Sequence, residues 1–522
     1  MGTMKRCRLL ILLSAALCGR TVLAFADSAC ERLKSLSIPD TTFTAVESVA
    51  EGPYQAPAPG GAAPTPAPAA ARGGATGRGA PPPPPLLPAH CRVAATLRPS
   101  SDSEIKMELW MPVDHWNGKF QMMGNGLWAG VISFAPMAAG LREHYAVAST
   151  DTGHQNNDGM FGLGHPEKIV DFGWRAVHET VVKSKALIAA YYGGNAKYSY
   201  WNGCSTGGRQ ALVEVTRFPN DFDGVIAGAP ANPHIHLHAA GIDRSLKLMK
   251  NPQGVLSQAK VEMLHRAVLA KCDAMDGVQD GLIGDPHQCH FDPASLLCKG
   301  EGDADSCLTP AQVETVRLVY GDVKTRKGEI VWTGYEPGGE LQYVSLRVVP
   351  AQLGVAWDSI RILGHQDADY DMKQFDLDRD LELADKSGID AHTFDLTPFK
   401  NHGGKLLMYH GWADPGIPPG NTVNFYNGVL AKMGKNQEGW IRLFMVPGME
   451  HCVGGPGTDQ FNKMAALERW REDGIAPGQI LAAHVANGQV TMTRPLCPYP
   501  QVAVYKGTGS TNDAGNFSCK MP

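Results

Sequence analysis

The sequence predicts an α/β fold: a mostly parallel sheet with helices on both faces, interrupted by one large insertion. Three observations predict it. Apolar strand-like segments alternate with helical ones from about residue 105 to 228, the rhythm breaks at about Ala231, and it resumes at "GKLLMYHGWADP". Strands that alternate with helices pair in parallel, because a helical crossover returns the chain to the same end of the sheet. The 522 residues suit one large elaborated domain or two. With 43% hydrophobic and 19% charged residues the composition is that of an ordinary globular chain. A net charge of −5, with no polybasic run, argues against nucleic acid or an anionic membrane surface as partner.

Residues 1–26 combine a basic start ("MKRCR"), an apolar run ("LLILLSAAL") and small residues at Ala24 and Ala26. That is the pattern of a secretory signal, cut after Ala26. A run of roughly ten apolar residues is too short to cross a bilayer, which takes about 20. Cys18-Gly19 hints at a lipoprotein site, but Leu17 is too large for the position before such a cysteine. No later segment is apolar for long enough to span a membrane, so the expectation is an exported protein, periplasmic or secreted. Of the 12 cysteines, Cys7 and Cys18 would leave with the signal. An even remainder in an oxidising compartment reads as disulfides. Local proximity suggests Cys272–Cys289, Cys298–Cys307 and Cys497–Cys519, which leaves Cys30, Cys91, Cys204 and Cys452.

Residues 52–88 are dense in Pro, Gly and Ala with almost no large apolar side chain. Such a stretch buries too little surface to offset its ordering entropy, and a mobile loop of polyproline II character is expected. A Cys30–Cys91 bond would staple it at its base. After it, "IKMELWMP", "GKFQMM" and "YAVAST" read as strands. "DFGWRAVHETVVKSKALIAAYYG" has helical spacing and stops at Gly193. "YSYWNG" reads as a strand, "GRQALVEVTRFP" as a helix and "FDGVIAGAP" as the next strand. Residues 232–395 hold loop signals, two close cysteine pairs and helical segments such as "LTPAQVETVRLVYG". The expected organisation is therefore a signal (1–26), a catalytic domain in two parts (27–231 and 396–522) and an inserted lid (232–395).

The chemistry concentrates where strands end. Gly203-x-Ser205-x-Gly207 lies between a predicted strand and a predicted helix, the context of a nucleophile elbow. There the turn exposes the serine hydroxyl, and the helix N-terminus aims backbone N–H groups at developing negative charge. In this arrangement the acid and then the histidine follow along the chain. Asp414 in "HGWADPGIPP" and His451 in "GMEHC" each come just after an apolar strand, in that order. Ser205 would attack, His451 would carry the proton, and Asp414 would orient the imidazole. Cys204 precedes the serine and Cys452 follows the histidine. A disulfide between them would tie nucleophile to base, and the remaining cysteines then resolve as Cys30–Cys91 and Cys204–Cys452. The rival reading, Cys204 as a thiol nucleophile, leaves Cys452 unpaired.

"GCSTGGRQA", "HGWADPGIPP" and "GMEHC" together resemble the tannase/feruloyl esterase family, including its mono(2-hydroxyethyl) terephthalate hydrolase branch. The likeness extends to "STDTGH", "FGWRAVHETV", "DFDGVIAGAPA" and the ten-cysteine layout, and so to nearly the whole chain after the signal. The resemblance implies Ser205, Asp414 and His451 as the triad and Cys204–Cys452 as the bridging disulfide. It also implies an oxyanion hole from the backbone N–H groups of Thr206 and Gly126. Thr206 stands where some relatives carry an acidic residue, a departure that leaves the backbone donor in place.

Within the insertion runs "CDAMDGVQDGLIGDPHQC". Asp273, Asp276 and Asp280, spaced by glycine-containing turns, form a tight carboxylate cluster of the kind that suits Ca²⁺. The spacing is not that of an EF-hand, and a plain Asp-Gly turn is the alternative. The resemblance implies calcium here, with the carbonyls of Val278 and Leu282 completing the set. His287, Cys289 and His290 suggest zinc only if Cys289 is not spent in a disulfide. The whole reading is an exported α/β-hydrolase acting as a serine carboxylic ester hydrolase on aromatic acid esters, with structural Ca²⁺ and no organic cofactor. Feruloyl esters come first, then galloyl esters or terephthalate monoesters. A secreted serine peptidase and a non-catalytic calcium-dependent binding protein are the alternatives.

Overall fold

The computed structural model describes residues 29–55, 85–300, 304–349 and 353–522. The signal reading and the middle of the Pro/Gly/Ala stretch fall outside them. The two ends of that stretch are inside, and they pair: Gly52 lies opposite Leu87 and Pro53 opposite Leu86 in a short antiparallel ladder.

The nine strands of the main sheet divide between two compact units of the chain. The first unit comprises 1–123, 130–155 and 175–200. It carries β1 (Thr41–Val49), β2 (His90–Leu97), β3 (Ile105–Pro112), β4 (Lys119–Met123) and β5 (Ala146–Thr150), side by side in the order β1-β2-β3-β5-β4. The β1/β2, β2/β3 and β3/β5 pairs are antiparallel, and β4/β5 is parallel. The second unit comprises 124–129, 156–174 and 201–522. Its strands are β7 (Gly224–Gly228), β8 (Lys405–Gly411) and β9 (Ile441–Val446), all parallel. The strand β6 (Tyr198–Cys204) runs from the first unit into the second. Parallel pairing thus holds within the βα rhythm for β4/β5 and for β7 to β9. The first strand of that rhythm, β3, is instead antiparallel to both its neighbours, β2 and β5, and the antiparallel β1 and β2 are an addition before it.

Every strand expected between 105 and 228, and both after 404, forms within a residue or two of its expected place. The helix expected over 171–192 is regular only as α1 (Ala176–Tyr192), closed by Gly193 in the left-handed conformation (φ 76°). Its first turn, Asp171–Arg175, is π-helical, and two of its carbonyls find a side-chain partner described below. The helix α2 (Thr206–Arg217) follows β6 directly.

Between Gly228 and Lys405 the described residues contribute no strand to the main sheet. The segment opens with α3 (His234–Met249), which packs with Trp128, Phe172, Trp332, Ile360 and Leu381 in one buried cluster. A second, smaller cluster gathers Val261, Leu264, Val268, Val313 and Val316 around the Cys272–Cys289 disulfide. The helix α4 (Pro310–Tyr320) there starts with a reciprocal capping box between Thr309 and Gln312, which satisfies two otherwise orphaned N–H groups. The first of these clusters is shared with Trp128, Phe172 and Ile417 from outside the segment, while the second lies within it.

Candidate active site

The strand-to-helix turn is built as the sequence requires. Ser205 has φ 65° and ψ −124°, a conformation that L-residues rarely adopt. Backbone bonds hold it there: its N–H donates to Gly228 O (3.0 Å), and its carbonyl accepts from the N–H groups of Arg209 (3.0 Å) and Ala231 (3.1 Å). The turn also needs glycine nearby because backbones approach closely. A Cβ on Gly208 would lie 2.2 Å from Gly228 O, and one on Gly124 would lie 2.7 Å from Gly207 Cα.

The segment Gly124–Ala129 is drawn onto the start of α2. Gly207 N–H donates to Asn125 O (2.8 Å), and the Thr206 hydroxyl donates to Leu127 O. The two neighbours of Gly126 are thus anchored to the two residues after Ser205. The Gln210 side chain completes the clamp: its carbonyl accepts from Asn125 N–H (3.0 Å) and its amide donates to the Asn125 side chain (2.9 Å). Arg209, fully buried, donates to the carbonyls of Phe172 (3.1 Å) and Gly173 (3.4 Å) in the π-helical turn and of Ile389 (2.7 Å). The motif reading stopped at Ser205 and Thr206. The polar residues three and four positions further on, one helical turn away on the buried face, were the available signal.

Asp414 follows β8 and His451 follows β9, and the structure brings them together. His451 Nδ1–H donates to Asp414 Oδ2 at 2.7 Å. The carboxylate is fully buried and its acceptor positions are filled. Oδ1 takes the N–H groups of Gly416 (2.7 Å) and Ile417 (2.9 Å), and Oδ2 takes a second imidazole, His410 Nε2, at 3.0 Å. His410 Nε2 also faces Ile417 O (3.1 Å) while its Nδ1 meets the Thr422 hydroxyl (2.7 Å). Both Nε2 partners are acceptors, so Nε2 carries the proton and Nδ1 accepts from Thr422. Sequence reasoning passed over His410, which sits in the same "YHGWADP" as Asp414.

Burial acts to raise the Asp414 pKa, but the hydrogen bonds from His410 and His451 outweigh it and hold the carboxyl well below the usual range. Burial likewise acts to lower that of His451, and the hydrogen bond and charge of Asp414 reverse this and raise it. Ser205, Thr206 and His451 line one cavity of about 350 Å³. Leu127, Trp128, Leu237, Trp332 and Ile417 make its lining largely apolar and partly aromatic. A site of this kind can carry out nucleophilic acyl transfer.

All five expected disulfides are formed: Cys30–Cys91, Cys204–Cys452, Cys272–Cys289, Cys298–Cys307 and Cys497–Cys519. The Cys204–Cys452 bond joins residues 248 positions apart and links the neighbours of Ser205 and His451. It removes Cys204 as a thiol nucleophile, and the Cys272–Cys289 bond removes Cys289 as a zinc ligand. His287 instead meets Glu336 at 3.1 Å.

Asp273, Asp276 and Asp280, the expected cation ligands, lie in one loop held by side-chain to backbone hydrogen bonds. Burial, with the charges of Asp280 and Asp273 added, pushes the Asp276 carboxyl up to about 7 against a hydrogen bond from Val278 N–H and the charge of Arg494. Arg494 pairs with Asp280, and backbone N–H groups of Asp280 and Gly281 donate to Asp273. Burial is thus the main reason the Asp276 carboxyl resists ionisation, with its two acidic neighbours adding to it. The carboxylates do not close on a common point. Among the described residues the group of three potential ligands whose atoms all lie within 4.8 Å of one another is Asp385, Asp390 and His392. Asp390 there already caps the N–H groups of His234 and Ile235.

The family model for tannase and feruloyl esterase matches residues 91–520. The chain belongs to that family. It is thereby a carboxylic ester hydrolase. It is 36% identical over 568 aligned positions to an uncharacterized esterase of Xanthomonas campestris pv. campestris, an alignment spanning 98% of this chain and 94% of that protein. A probable feruloyl esterase B-2 of Aspergillus terreus is 34% identical over 82% of this chain and 86% of its own length. The crystal structure of feruloyl esterase B from Aspergillus oryzae superposes with a TM-score of 0.85 at 29% identity, covering 95% of this chain and all of that one. Tannin acyl hydrolase from Aspergillus niger, at 20% identity and a TM-score of 0.73, shares the fold. No helix among the described residues is long and apolar enough to cross a membrane.

Proposed function

We propose that the protein is an exported serine esterase that cleaves esters of aromatic acids, feruloyl-type esters first and galloyl esters or terephthalate monoesters next. The observation that carries this reading is the Asp414–His451 hydrogen bond of 2.7 Å beside a serine held at φ 65°, on one aromatic-lined cavity.

In the proposed reaction Ser205 Oγ attacks the ester carbonyl carbon while its proton passes to His451 Nε2. The tetrahedral oxyanion is held by the backbone N–H groups of Thr206 and Gly126. As the intermediate collapses, the C–O bond to the alcohol breaks, and the alcohol leaves with the proton from His451. Water then attacks the acyl-enzyme, again giving its proton to His451. Collapse frees the acid and returns the proton to Ser205. Asp414 fixes the imidazole with its Nδ1–H inward and stabilises its cationic form. His410 fixes Asp414, and the Cys204–Cys452 bond limits how far serine and histidine can separate.

Residues 232–395 act as the lid, since Trp332, Val355 and the first turns of α3 supply cavity wall. Ca²⁺ would be held by Asp273, Asp276 and Asp280 with the carbonyls of Val278 and Leu282, neutralising the crowded carboxylates and stiffening this segment. The likeness to secreted-type, disulfide-rich chemistry in 30–519 and the basic-apolar start of the sequence support export.

The test is hydrolysis of methyl ferulate, methyl gallate, mono(2-hydroxyethyl) terephthalate, p-nitrophenyl acetate and a peptide anilide by the wild type and by Ser205→Ala. The expected outcome is cleavage of an aromatic ester far above the acetate, no peptide cleavage, and a loss of about 10⁴-fold or more in Ser205→Ala. Activity that survives Ser205→Ala would overturn the mechanism. Cleavage confined to the acetate would overturn the substrate class.

A further inference from the structure

The cavity that Ser205 and His451 share is apolar except for a few groups, and two of those have no part in the reaction: His234 and His238, one turn apart on α3. His234 is 2% exposed, and among the described residues neither of its ring nitrogens has a hydrogen-bond partner. Trp128 (4.9 Å between ring centroids), Phe172 (5.8 Å) and His238 (4.1 Å) surround it. His238 Nδ1 meets the Ser359 hydroxyl at 2.7 Å, which leaves Nε2 as its remaining hydrogen-bonding atom. A buried imidazole left without its hydrogen bonds is destabilising. Both His234 nitrogens are buried, so of the pair it is His238 that a ligand in this cavity can meet through a ring nitrogen.

Resting on the esterase reading above, we propose that His238, backed by His234, receives the ring hydroxyl of a phenolic acyl group and makes the enzyme selective for hydroxylated aromatic acids. With Nδ1 engaged by Ser359, the remaining Nε2 of a neutral ring either donates or accepts, according to the tautomer, and a hydroxyl, which can do both, suits it in either case. Burial keeps both rings neutral: it lowers the His238 pKa to about 4 and that of His234 well below the ordinary imidazole value, with the neighbouring His238 and Arg209 adding to the effect on His234. A carboxylate only accepts, and its charge would lose hydration beside uncharged rings. The guanidinium of the lining, Arg244, has Nε and Nη2 engaged by the carbonyls of Leu318, Gly321 and Thr333 at 3.2–3.4 Å. Ser359 lies in the 232–395 segment, so that segment holds the His238 ring in place as well as covering the cavity.

The experiment compares kcat/KM for four methyl esters at neutral pH: 4-hydroxycinnamate, cinnamate, 4-methoxycinnamate and 4-carboxycinnamate. The wild type is expected to favour the hydroxyl ester over cinnamate by about tenfold or more, with the methoxy ester, which cannot donate, in between. In His238→Phe that ratio should fall to within about twofold, and in His238→Gln, which keeps a donor and an acceptor, part of it should return. A His238→Phe variant that folds and keeps the wild-type ratio overturns the assignment to His238, and if that variant does not fold, His238→Leu takes its place in the same comparison. Ser205-dependent cleavage with a hydroxyl-to-cinnamate ratio near one overturns this inference and leaves the esterase standing. A preference for the 4-carboxy ester overturns it in favour of Arg244. Cleavage of none of the four overturns the esterase reading itself.

Discussion

His451 and His410 meet on one carboxylate, while His234 and His238, on the same cavity, share none. Asp414 lies 2.7 Å from His451 Nδ1 and 3.0 Å from His410 Nε2, and His410 has its other nitrogen on Thr422. His234 has no partner among the described residues, and His238 has the hydroxyl of Ser359. The contrast is electrostatic. A buried carboxylate lifts the His451 pKa and readies that ring to take a proton. Without one, burial prevails and the rings stay neutral. In the proposed mechanism the same side chain serves proton transfer in one place and hydrogen-bond recognition in another, according to whether a carboxylate stands beside it.

The sharpest way to break this comparison is Asp414→Asn. It should lower kcat by about 10³–10⁴-fold, through loss of imidazole orientation and of charge stabilisation. It should also move the acid limb of the pH–rate profile. His451 must be neutral to act as base, and Asp414 raises its pKa, so wild-type activity should fall as pH drops through a value above the ordinary imidazole range. Without the carboxylate that limb should shift to lower pH. An unshifted limb would mean that Asp414 does not set the His451 charge.

A smaller effect is expected from replacing Cys204 and Cys452 together with alanine. The triad side chains remain, but their separation is no longer fixed, and a displacement of about 1 Å costs on the order of 10²-fold in turnover. Circular dichroism should report a largely intact fold. Near-normal turnover would sink the account of why these cysteines flank the serine and the histidine.

Calcium removal should be the mildest and should leave both histidine pairs in place. Treatment with EDTA is expected to lower Tm by a few degrees, with recovery on adding Ca²⁺ back, because a bound ion stabilises only the folded state. Replacing Asp276 with asparagine should remove that dependence. A Tm insensitive to chelator would reduce 273–282 to a set of turns.

Much of the fold was legible in the sequence, and the exceptions have physical reasons. The strand β2, "HCRVAATL", was not anticipated. His90 and Arg92 mark it as surface, yet all eight residues are buried. Arg92 is accommodated because its Nε donates to Glu108 at 2.9 Å on the neighbouring strand and Nη1 donates to Glu47 at 2.7 Å. Those partners lie 16 and 45 positions away, beyond the reach of a local pattern. The C-terminal hairpin of Ile480–Ala486 and Gln489–Leu496 was missed too, because exposed apolar residues such as Leu481 and Val490 blur its alternation.

By itself the sequence determined the turn at Ser205, the order of Ser205, Asp414 and His451, the cysteine partners and the alternation that makes β6 to β9. These depend on residue type at short spacing: glycines where backbones touch, a polar residue where an apolar strand stops. Only the tertiary structure decided that Gln210 clamps Asn125, that His410 shares Asp414, and that His234 and His238 face the cavity without a carboxylate. Burial and charge at a side chain are set by whatever the fold brings against it, and for Ser359 and His238 that neighbour comes from 121 positions away.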